Sequence, residues 1–310
     1  MRMSRKRRGS PLEKAPPKSL PRHDDAPLLT LDSLSADSKQ VIARFLGPLQ
    51  VGNIDAGREY AKVLPFAKVE LRTRATTELL VTSDSPLGVS HLYCYANTVQ
   101  PFSKAMGEKF ATLQGFDVSD TELSDEAMMG LASSIAKSEC LKSIQFGEQP
   151  DVDSDGVSAL GLAMTENKSI TELSLGACEM DSDAALHLVT GITASPQLER
   201  VALAHMPPQF SKYLTKLIRD SRKLEALQLS NSQVGLQSET PLNLEKALAQ
   251  NTLLVELDLT RSFSSESQSQ ESLLSICAAL KKNQSLKVLN LRDCSVRGDT
   301  AVGLANGLLE

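Results

Sequence analysis

The sequence contains no tryptophan, and aromatic residues make up only 4% of its 310 residues. Leucine, alanine and valine must therefore do most of the packing, and the 41% apolar content is enough for a sizeable core. No run of about 18 apolar residues is present, which predicts a chain without a membrane span. The basic N-terminus is not followed by an apolar segment, so a classical secretory signal is not expected either.

Patterns typical of catalysis and metal binding are also scarce. The four histidines, at positions 23, 91, 187 and 205, form no HExxH or other metal-binding spacing, and neither a P-loop nor a GxGxxG motif occurs. The five cysteines are scattered, odd in number and without a CxxC pair, which favours reduced thiols in a cytosol-like compartment. We therefore expect a non-catalytic protein that needs no cofactor and no metal.

Charge is unevenly distributed along the chain. Residues 1–25 contain eight Lys or Arg against three Asp or Glu, which is +5, so the formal net charge of −5 leaves −10 for the remainder. An acidic body is a poor general nucleic-acid binder, because phosphate neutralisation needs clustered Lys and Arg. Residues 1–27 are rich in proline and charge, which predicts a disordered basic tail. Its RKRR run (Arg5, Lys6, Arg7 and Arg8) is either a nuclear-import or anionic-surface signal, or a solvated tail or part of a non-classical export signal.

What the sequence does contain is a repeat of unevenly spaced leucines. Residues 286–296 (LKVLNLRDCSV) follow the pattern L-x-x-L-x-L-x-x-(N/C/S/T)-x-apolar, and residues 170–180 (ITELSLGACEM) match it. Nine copies, some of them weaker, start at residues 66, 89, 113, 141, 170, 198, 224, 254 and 286, at spacings of 23 to 32 residues. Nine copies in phase are not expected by chance, so the chain is built from repeats.

The leucine spacing has a physical reason. The second and third leucines of each copy alternate as strand residues do, so both point into the core, while the first packs into the same layer from before the strand. The polar position must turn the chain and satisfy backbone groups that would otherwise be buried unpaired. Helical patterns lie between the copies, for example at residues 124–138, 209–221 and 271–283. Each strand–helix unit therefore buries its face only against its neighbours.

These repeats resemble the ribonuclease-inhibitor class of leucine-rich repeat, and the resemblance covers residues 66–310 with about nine repeats. It implies an α/β fold: a leucine-rich-repeat solenoid, or horseshoe, with an inner parallel β-sheet and outer helices.

A second pattern lies just before the repeats, in residues 28–65. Its apolar residues, with a break at GP (residues 47–48), predict two or three short helices. Their spacing resembles an F-box, in which a leucine, an acidic residue, an isoleucine, an aromatic–leucine pair and later aliphatic residues follow in order. The matching residues are Leu34, Asp37, Ile42, Phe45, Leu46, Val51 and Ile54. Ser35 stands where the motif has proline, and a plain N-terminal cap of the solenoid is the alternative interpretation.

The order of the parts adds a further resemblance. A basic head is followed by the F-box-like segment and then by repeats with Gly/Ala/Leu-rich helices, such as GDTAVGLANGL at residues 298–308. This order resembles the GALA-type F-box effectors of plant-pathogenic bacteria. The resemblance implies secretion into a host cell and recruitment of the Skp-type adaptor of a cullin-RING (SCF-type) ubiquitin ligase. The seven F-box-like residues would dock on that adaptor.

Residues that alternate with the core leucines are expected on the inner, concave surface, where a protein partner would bind. Two tyrosines and a histidine fall together there on one strand, and exposed aromatic clusters are typical binding hot spots. Folding of the N-terminal segment over them is an equal alternative. The predicted partner-binding residues are Lys68, Glu70, Arg72, His91, Tyr93, Tyr95, Asp117, Glu256, Asp258 and Arg292.

Three functions fit these observations. The first is an F-box subunit that recruits a substrate protein to the ligase. The second is a stand-alone repeat scaffold or inhibitor with one protein partner. The third is a repeat-type GTPase activator, which needs an exposed arginine at a loop edge; Arg72, Arg261 and Arg292 are candidates, and nothing in the sequence singles one out.

Overall fold

A computed structural model describes residues 49–50, 67–71, 89–95, 113–232 and 241–309 of the chain. Ten strands in these residues form one sheet, in which every strand pairs in parallel with the next strand along the sequence. The strands are β1 Leu49–Gln50, β2 Ala67–Leu71, β3 Val89–Tyr95, β4 Gly115–Asp120, β5 Ser143–Glu148, β6 Glu172–Gly176, β7 Arg200–Ala204, β8 Ala226–Gln228, β9 Glu256–Asp258 and β10 Val288–Asn290.

Helices connect the strands from β4 onward, as the repeat pattern predicts. In the described residues they are α1 Asp125–Lys137, α2 Ser154–Glu166, α3 Ser182–Ala194, α4 Pro208–Ser211, α5 Leu214–Asp220, α6 Pro241–Gln250, α7 Ser267–Leu280 and α8 Gly298–Leu309. Parallel strands alternating with helices confirm the predicted α/β leucine-rich-repeat solenoid.

The repeat that contains β6 shows how the leucine pattern builds the core. Leu173 and Leu175 are buried, as is Ile170 just before the strand, whereas Glu172 before Leu173 is exposed and Ser174 between the two leucines is half-buried. Alternation along the strand thus sends one set of side chains toward the helices and the other set away from them. The buried set of every described repeat from β3 onward belongs to one continuous hydrophobic cluster.

The polar position of the repeat forms a ladder of hydrogen bonds between neighbouring repeats. The Gln149 amide donates to the Thr121 carbonyl at 2.9 Å and accepts from the Leu123 amide at 2.8 Å. The Ser232 hydroxyl donates to the Leu203 carbonyl, and the Cys294 thiol donates to the Leu259 carbonyl at 2.9 Å. These contacts confirm that this position satisfies buried backbone groups at the turn.

A second ladder lies where the helices end. The Asn167 side chain donates to the Ile135 and Ser138 carbonyls of the preceding repeat and accepts from two backbone amides of its own turn. Asn251 and Asn283 repeat the arrangement. Sequence analysis did not identify this position, because the pattern there was read from the strands alone.

Glycines allow two neighbouring helices to pack closely. A Cβ atom on Gly191 of α3 would lie 2.1 Å from the Gly161 carbonyl oxygen of α2, and a Cβ atom on Gly161 would lie 2.4 Å from the His187 carbonyl carbon. Backbone therefore contacts backbone between α2 and α3, and no larger residue fits at either position without a shift of one helix.

Several boundaries differ from the sequence prediction. The single helix expected over residues 209–221 is two helices, α4 and α5, separated by a turn at Lys212 and Tyr213. Strand β1 lies inside the segment for which short helices were expected, so at Leu49 and Gln50 that prediction was wrong. These two residues pair with β2, and their sheet hydrogen bonds outweigh a local helical pattern.

Candidate functional site

Two rows of strand residues, aligned by strand register, alternate with the core positions of the repeats, and we call the sheet face that they define the concave face. Strand register aligns the residues of each row across the sheet. The first row is Lys68, His91, Gly115, Ser143, Glu172, Arg200, Ala226, Glu256 and Val288. The second row is Glu70, Tyr93, Asp117, Gln145, Ser174, Ala202, Gln228, Asp258 and Asn290.

Seven of the ten predicted partner-binding residues belong to these rows: Lys68, Glu70, His91, Tyr93, Asp117, Glu256 and Asp258. Tyr95 ends β3, next to a break in register, where it pairs with Asp120. Arg292 lies two residues beyond β10, with its side chain 74% exposed, and so stands at the edge of the face. Arg72 lies outside the described residues, as do all seven F-box-like residues: Leu34, Asp37, Ile42, Phe45, Leu46, Val51 and Ile54.

Aromatic residues mark the N-terminal end of the concave face. His91 and Tyr93 are both half-buried on β3, while Leu92 and Cys94 between and after them are buried in the core. The His91 ring lies over Gly115 of β4, where an added Cβ atom would be 2.4 Å from its Cδ2 atom. The absence of a side chain at Gly115 therefore makes room for the imidazole, and the β3 strand belongs to the stacked sheet as predicted.

A shallow pocket lies in the middle of the concave face, between β5 and β8. Its volume is about 240 Å³. The side chains of Ser174, Ala202 and Ala226 are small and form its floor, and Glu172 and Arg200 supply its charges. The pocket is the consequence of the small size of these three residues.

The charges of the pocket are linked across repeats. Arg200 Nη2 donates to Glu256 Oε2 at 3.4 Å, two strands away. The intervening residue of the same row is Ala226, whose methyl group leaves the guanidinium room to cross. Glu172 Oε2 accepts from the Ser143 hydroxyl at 3.2 Å. The pocket thus contains one cation that is paired with a carboxylate outside the lining, and one carboxylate that only a neutral group contacts.

A further row of residues, four of them polar, follows the strands, and sequence analysis missed it. Ala177, His205, Asn231, Arg261 and Asp293 all have left-handed backbone conformations, with φ between 52° and 57°. We call them the rim row. Each lies seven residues after the first apolar residue of its repeat copy, so the repeat phase was the signal that would have located it.

The left-handed turn has a structural cause. It directs the backbone N–H of Ala177, His205, Asn231 and Arg261 to a carbonyl of the following repeat, at 2.8 to 3.0 Å. Non-glycine residues adopt this conformation only at a cost of about 1 kcal/mol. Side chains of the row also meet: Arg261 Nε donates to Asp293 Oδ2 at 3.1 Å.

Two of the arginines considered for GTPase activation meet at the rim row. Arg261 and Arg292 share the Asp293 carboxylate, with Nε to Oδ2 distances of 3.1 and 3.7 Å. His205 Nε2 lies 3.2 Å from Glu148 Oε1 and 3.5 Å from Asn231 Nδ2 at another part of the rim. Nothing in this arrangement distinguishes one arginine from the other.

The cysteines occupy structural positions. Cys94, Cys178, Cys277 and Cys294 are buried thiols, and Cys140 is an exposed one. Burial, with a smaller contribution from the negative charge of Asp125, raises the pKa of Cys178 to about 12. At neutral pH Cys178 is therefore a thiol and a poor nucleophile.

Neither a metal-binding cluster nor a membrane-spanning helix occurs among the described residues. There, no three His, Cys, Asp or Glu side chains come close enough together to hold a metal ion. The described helices include none that is long and apolar enough to cross a membrane.

Comparisons with known proteins add little to this description. No family model matches the chain, and neither does any curated protein. Solved structures similar to it include leiomodin-1 actin-binding site 2 (15% identity, 40% of this chain and 70% of that chain, TM-score 0.33) and the tropomodulin C-terminal domain of Caenorhabditis elegans (16% identity, 60% and 92%, TM-score 0.34). The complex of Rad7 and Elc1 from yeast is also similar (10% identity, 87% and 78%, TM-score 0.38). At TM-scores below 0.5 these likenesses carry no argument, and the repeat fold is established by the chain's own sheet and ladders.

Proposed function

We propose that this protein is a non-catalytic protein-interaction module that binds a protein partner on its concave face. The observation that carries the proposal is the accessibility of polar and charged side chains along that face. The Arg200 side chain is 51% exposed, although Val201 next to it is buried, and Gln145 is exposed between the fully buried Ile144 and Phe146. Packing of the solenoid does not require these side chains.

The dimensions of the face suit a protein partner. Strands β2 to β10 lie about 4.8 Å apart, so the face is about 40 Å long. A standard interface covers about 800 Å² of each partner, which a strip of this length supplies at a width of about 20 Å. The 240 Å³ pocket, by contrast, is smaller than the roughly 300–1,000 Å³ of a typical small-molecule site.

Within this role, we propose that the chain is an F-box subunit, which links its partner to a Skp-type adaptor of a cullin-RING ubiquitin ligase. The support is the resemblance of residues 34–54 to an F-box and the order of the parts along the chain. A bacterial effector acting inside a host cell, with Arg5 to Arg8 as a nuclear-import signal, is the extension of the same proposal.

Co-purification with a purified Skp-type adaptor tests the F-box proposal. We expect the full chain to retain the adaptor, and the double variant Leu34→Ala/Ile42→Ala to lose it. The double variant Leu253→Ala/Val302→Ala, which truncates exposed apolar side chains of the repeats, is the control and should retain it. Equal recovery of all three proteins, or recovery of none, would end the F-box proposal.

One observation favours the alternative, a stand-alone scaffold with an N-terminal cap. Strand β1 continues the sheet upstream of the first predicted repeat, directly after the Leu46 position of the F-box-like pattern. A segment that extends the sheet covers its edge, as a solenoid cap does. The cap interpretation predicts no adaptor binding, and a lower unfolding midpoint for Leu34→Ala/Ile42→Ala than for the wild-type chain.

The concave face itself is tested with a partner that has first been identified and purified. Truncation of a hot-spot tyrosine costs 1 kcal/mol or more, and about 1.4 kcal/mol is a tenfold loss of affinity. We therefore expect Tyr93→Ala to weaken binding about tenfold. Met129→Ala, at an exposed apolar position on helix α1, is the control and should change the affinity less than twofold. A larger loss of affinity for Met129→Ala than for Tyr93→Ala would indicate that the partner binds the helices instead.

A further inference from the structure

The pocket on the concave face also indicates the chemistry of the partner. We propose that it receives a lysine or arginine side chain from a basic segment of the protein partner. This inference rests on the proposed interaction function and specifies which kind of partner the concave face selects.

The first argument is the size and shape of the pocket. A volume of about 240 Å³ with a floor of small side chains suits a single inserted side chain. Small residues on β6, β7 and β8 create the space, and larger polar side chains, Gln145 and Gln228, stand on either side of it. A partner side chain that enters between them meets Glu172 and Arg200.

The second argument is the balance of charge. Among the residues of the two rows on β4 to β10, four are acidic and one is basic. They are Asp117, Glu172, Glu256, Asp258 and the cation Arg200. Arg200 pairs with Glu256 and therefore compensates only one carboxylate. The face keeps a net charge of −3, which attracts a basic partner and repels an acidic one.

The third argument concerns the local contacts of each carboxylate. Asp117 Oδ1 accepts from the amide and hydroxyl of Ser119, and Asp258 accepts from Thr260 N and Asn290 Nδ2. These hydrogen bonds hold both carboxylates at the strand ends, and neither residue lines the pocket. Glu172 is exposed and accepts only the Ser143 hydroxyl at 3.2 Å, so its second oxygen remains available to a donor. Glu172 is accordingly the residue that we expect to contact the inserted cation.

An acidic ligand for Arg200 is the competing possibility. The guanidinium lies between Glu256, which it contacts, and Glu172, its neighbour in the same row on β6. A carboxylate or phosphate approaching Arg200 meets both of these negative charges at short range, where salt screens little. The geometry therefore favours a cation next to Glu172 over an anion next to Arg200.

Fluorescence anisotropy with defined peptides tests the proposal on the full chain. The probe is a fluorescein-labelled nonapeptide of alternating lysine and serine; the comparison peptides replace every lysine by glutamine or by glutamate. We expect the lysine peptide to bind at least tenfold more tightly than the glutamine peptide, and the glutamate peptide not to bind. Affinity for the lysine peptide should fall as salt rises from 50 to 300 mM.

Two variants locate the binding. Glu172→Gln should weaken binding of the lysine peptide by about two- to fivefold, the range of an exposed charge contact. Glu271→Gln makes the same charge change on the exposed side of α7 and should have less than a twofold effect. Ala202→Leu fills the pocket floor without altering the core, and should abolish the preference for lysine over glutamine while the circular dichroism spectrum is unchanged.

Three results would overturn the proposal. The first is equal binding of all three peptides, and the second is an equal effect of Glu172→Gln and Glu271→Gln. The third is a rise in affinity when Arg5, Lys6, Arg7 and Arg8 are all changed to glutamine, which would assign the pocket to the chain's own basic head. If Tyr93→Ala weakens binding of a protein partner while the three peptides bind equally, the proposed interaction function is supported and only the proposal of a basic segment is wrong.

Discussion

Asn167 provides a direct test of how neighbouring repeats are held together. Its side chain is 1% exposed. Nδ2 donates to the Ile135 and Ser138 carbonyls at 2.7 and 2.8 Å, and Oδ1 accepts from the Ser169 and Ile170 amides at 2.8 and 2.9 Å. The same residue thus closes the end of the preceding helix and positions the start of the next strand.

The magnitude follows from these four hydrogen bonds. Each contributes about 1 kcal/mol net, and a buried donor or acceptor left without a partner costs about 1–3 kcal/mol. Water that enters the vacated space recovers part of the loss. We therefore expect Asn167→Ala to lower the free energy of unfolding by about 3–5 kcal/mol.

The next repeat offers a matched control at the same position. Ser195 ends α3 as Asn167 ends α2, and it is equally buried, but its hydroxyl has no hydrogen-bond partner. Removal of an unsatisfied buried hydroxyl relieves a desolvation cost. We therefore expect Ser195→Ala to leave the stability within about 0.5 kcal/mol of wild type, or to raise it.

Urea denaturation followed by circular dichroism measures both variants, and hydrogen exchange of the Ser169 and Ile170 amides reports the local effect. Because repeats interact mainly with their nearest neighbours, the exchange of these amides should accelerate in Asn167→Ala more than the exchange of amides in distant repeats. Equal midpoints and equal exchange rates in the two alanine variants would refute the ladder as a source of stability.

Three further predictions concern single positions. Gly191→Ala should lower the free energy of unfolding by about 1–3 kcal/mol, because its Cβ atom would overlap the backbone of the neighbouring helix. Gly303→Ala is the control for the same denaturation assay and should be neutral or stabilising, because the nearest atom to its Cβ belongs to a flexible leucine side chain, at 3.2 Å. Ala177→Gly should raise the unfolding free energy by about 0.5–1 kcal/mol, because glycine adopts the left-handed φ of 52° without the cost that alanine bears; a loss of stability would contradict this. Iodoacetamide at pH 8 should label exposed Cys140 rapidly and Cys178 at least tenfold more slowly, because burial covers the Cys178 sulfur and raises its pKa to about 12. Equal labelling rates of the two cysteines, measured by peptide mass spectrometry, would contradict this prediction.

The candidate site was predicted in outline but not in its contacts. Strand alternation was enough to place Glu256 and Asp258 on the concave face, since facing follows from position in the repeat. The pairing of Arg200 with Glu256 spans 56 residues and depends on the small size of Ala226 between them. Such a contact requires the register of three strands, which no single repeat specifies.

The helices were likewise predicted where the local pattern decides their bounds, and not where a contact between repeats does. The helix predicted over residues 124–138 agrees with α1, which begins after the N-cap Ser124, because capping and periodicity are local properties. The break between α4 and α5 was not predicted. It coincides with a contact to another repeat, in which the Tyr213 hydroxyl donates to the Ser182 carbonyl at 2.9 Å.

The repeat period, the core residues and the face of the polar strand residues all follow from spacing within one copy, where the alternation of a strand and the turn of a helix act over a few residues. The ladders of Asn167 and Gln149, the close approach at Gly191 and the charged pocket around Glu172 do not follow from that spacing. These features join residues from adjacent copies, so they arise from how the copies stack, and stacking geometry is set by all the side chains between them.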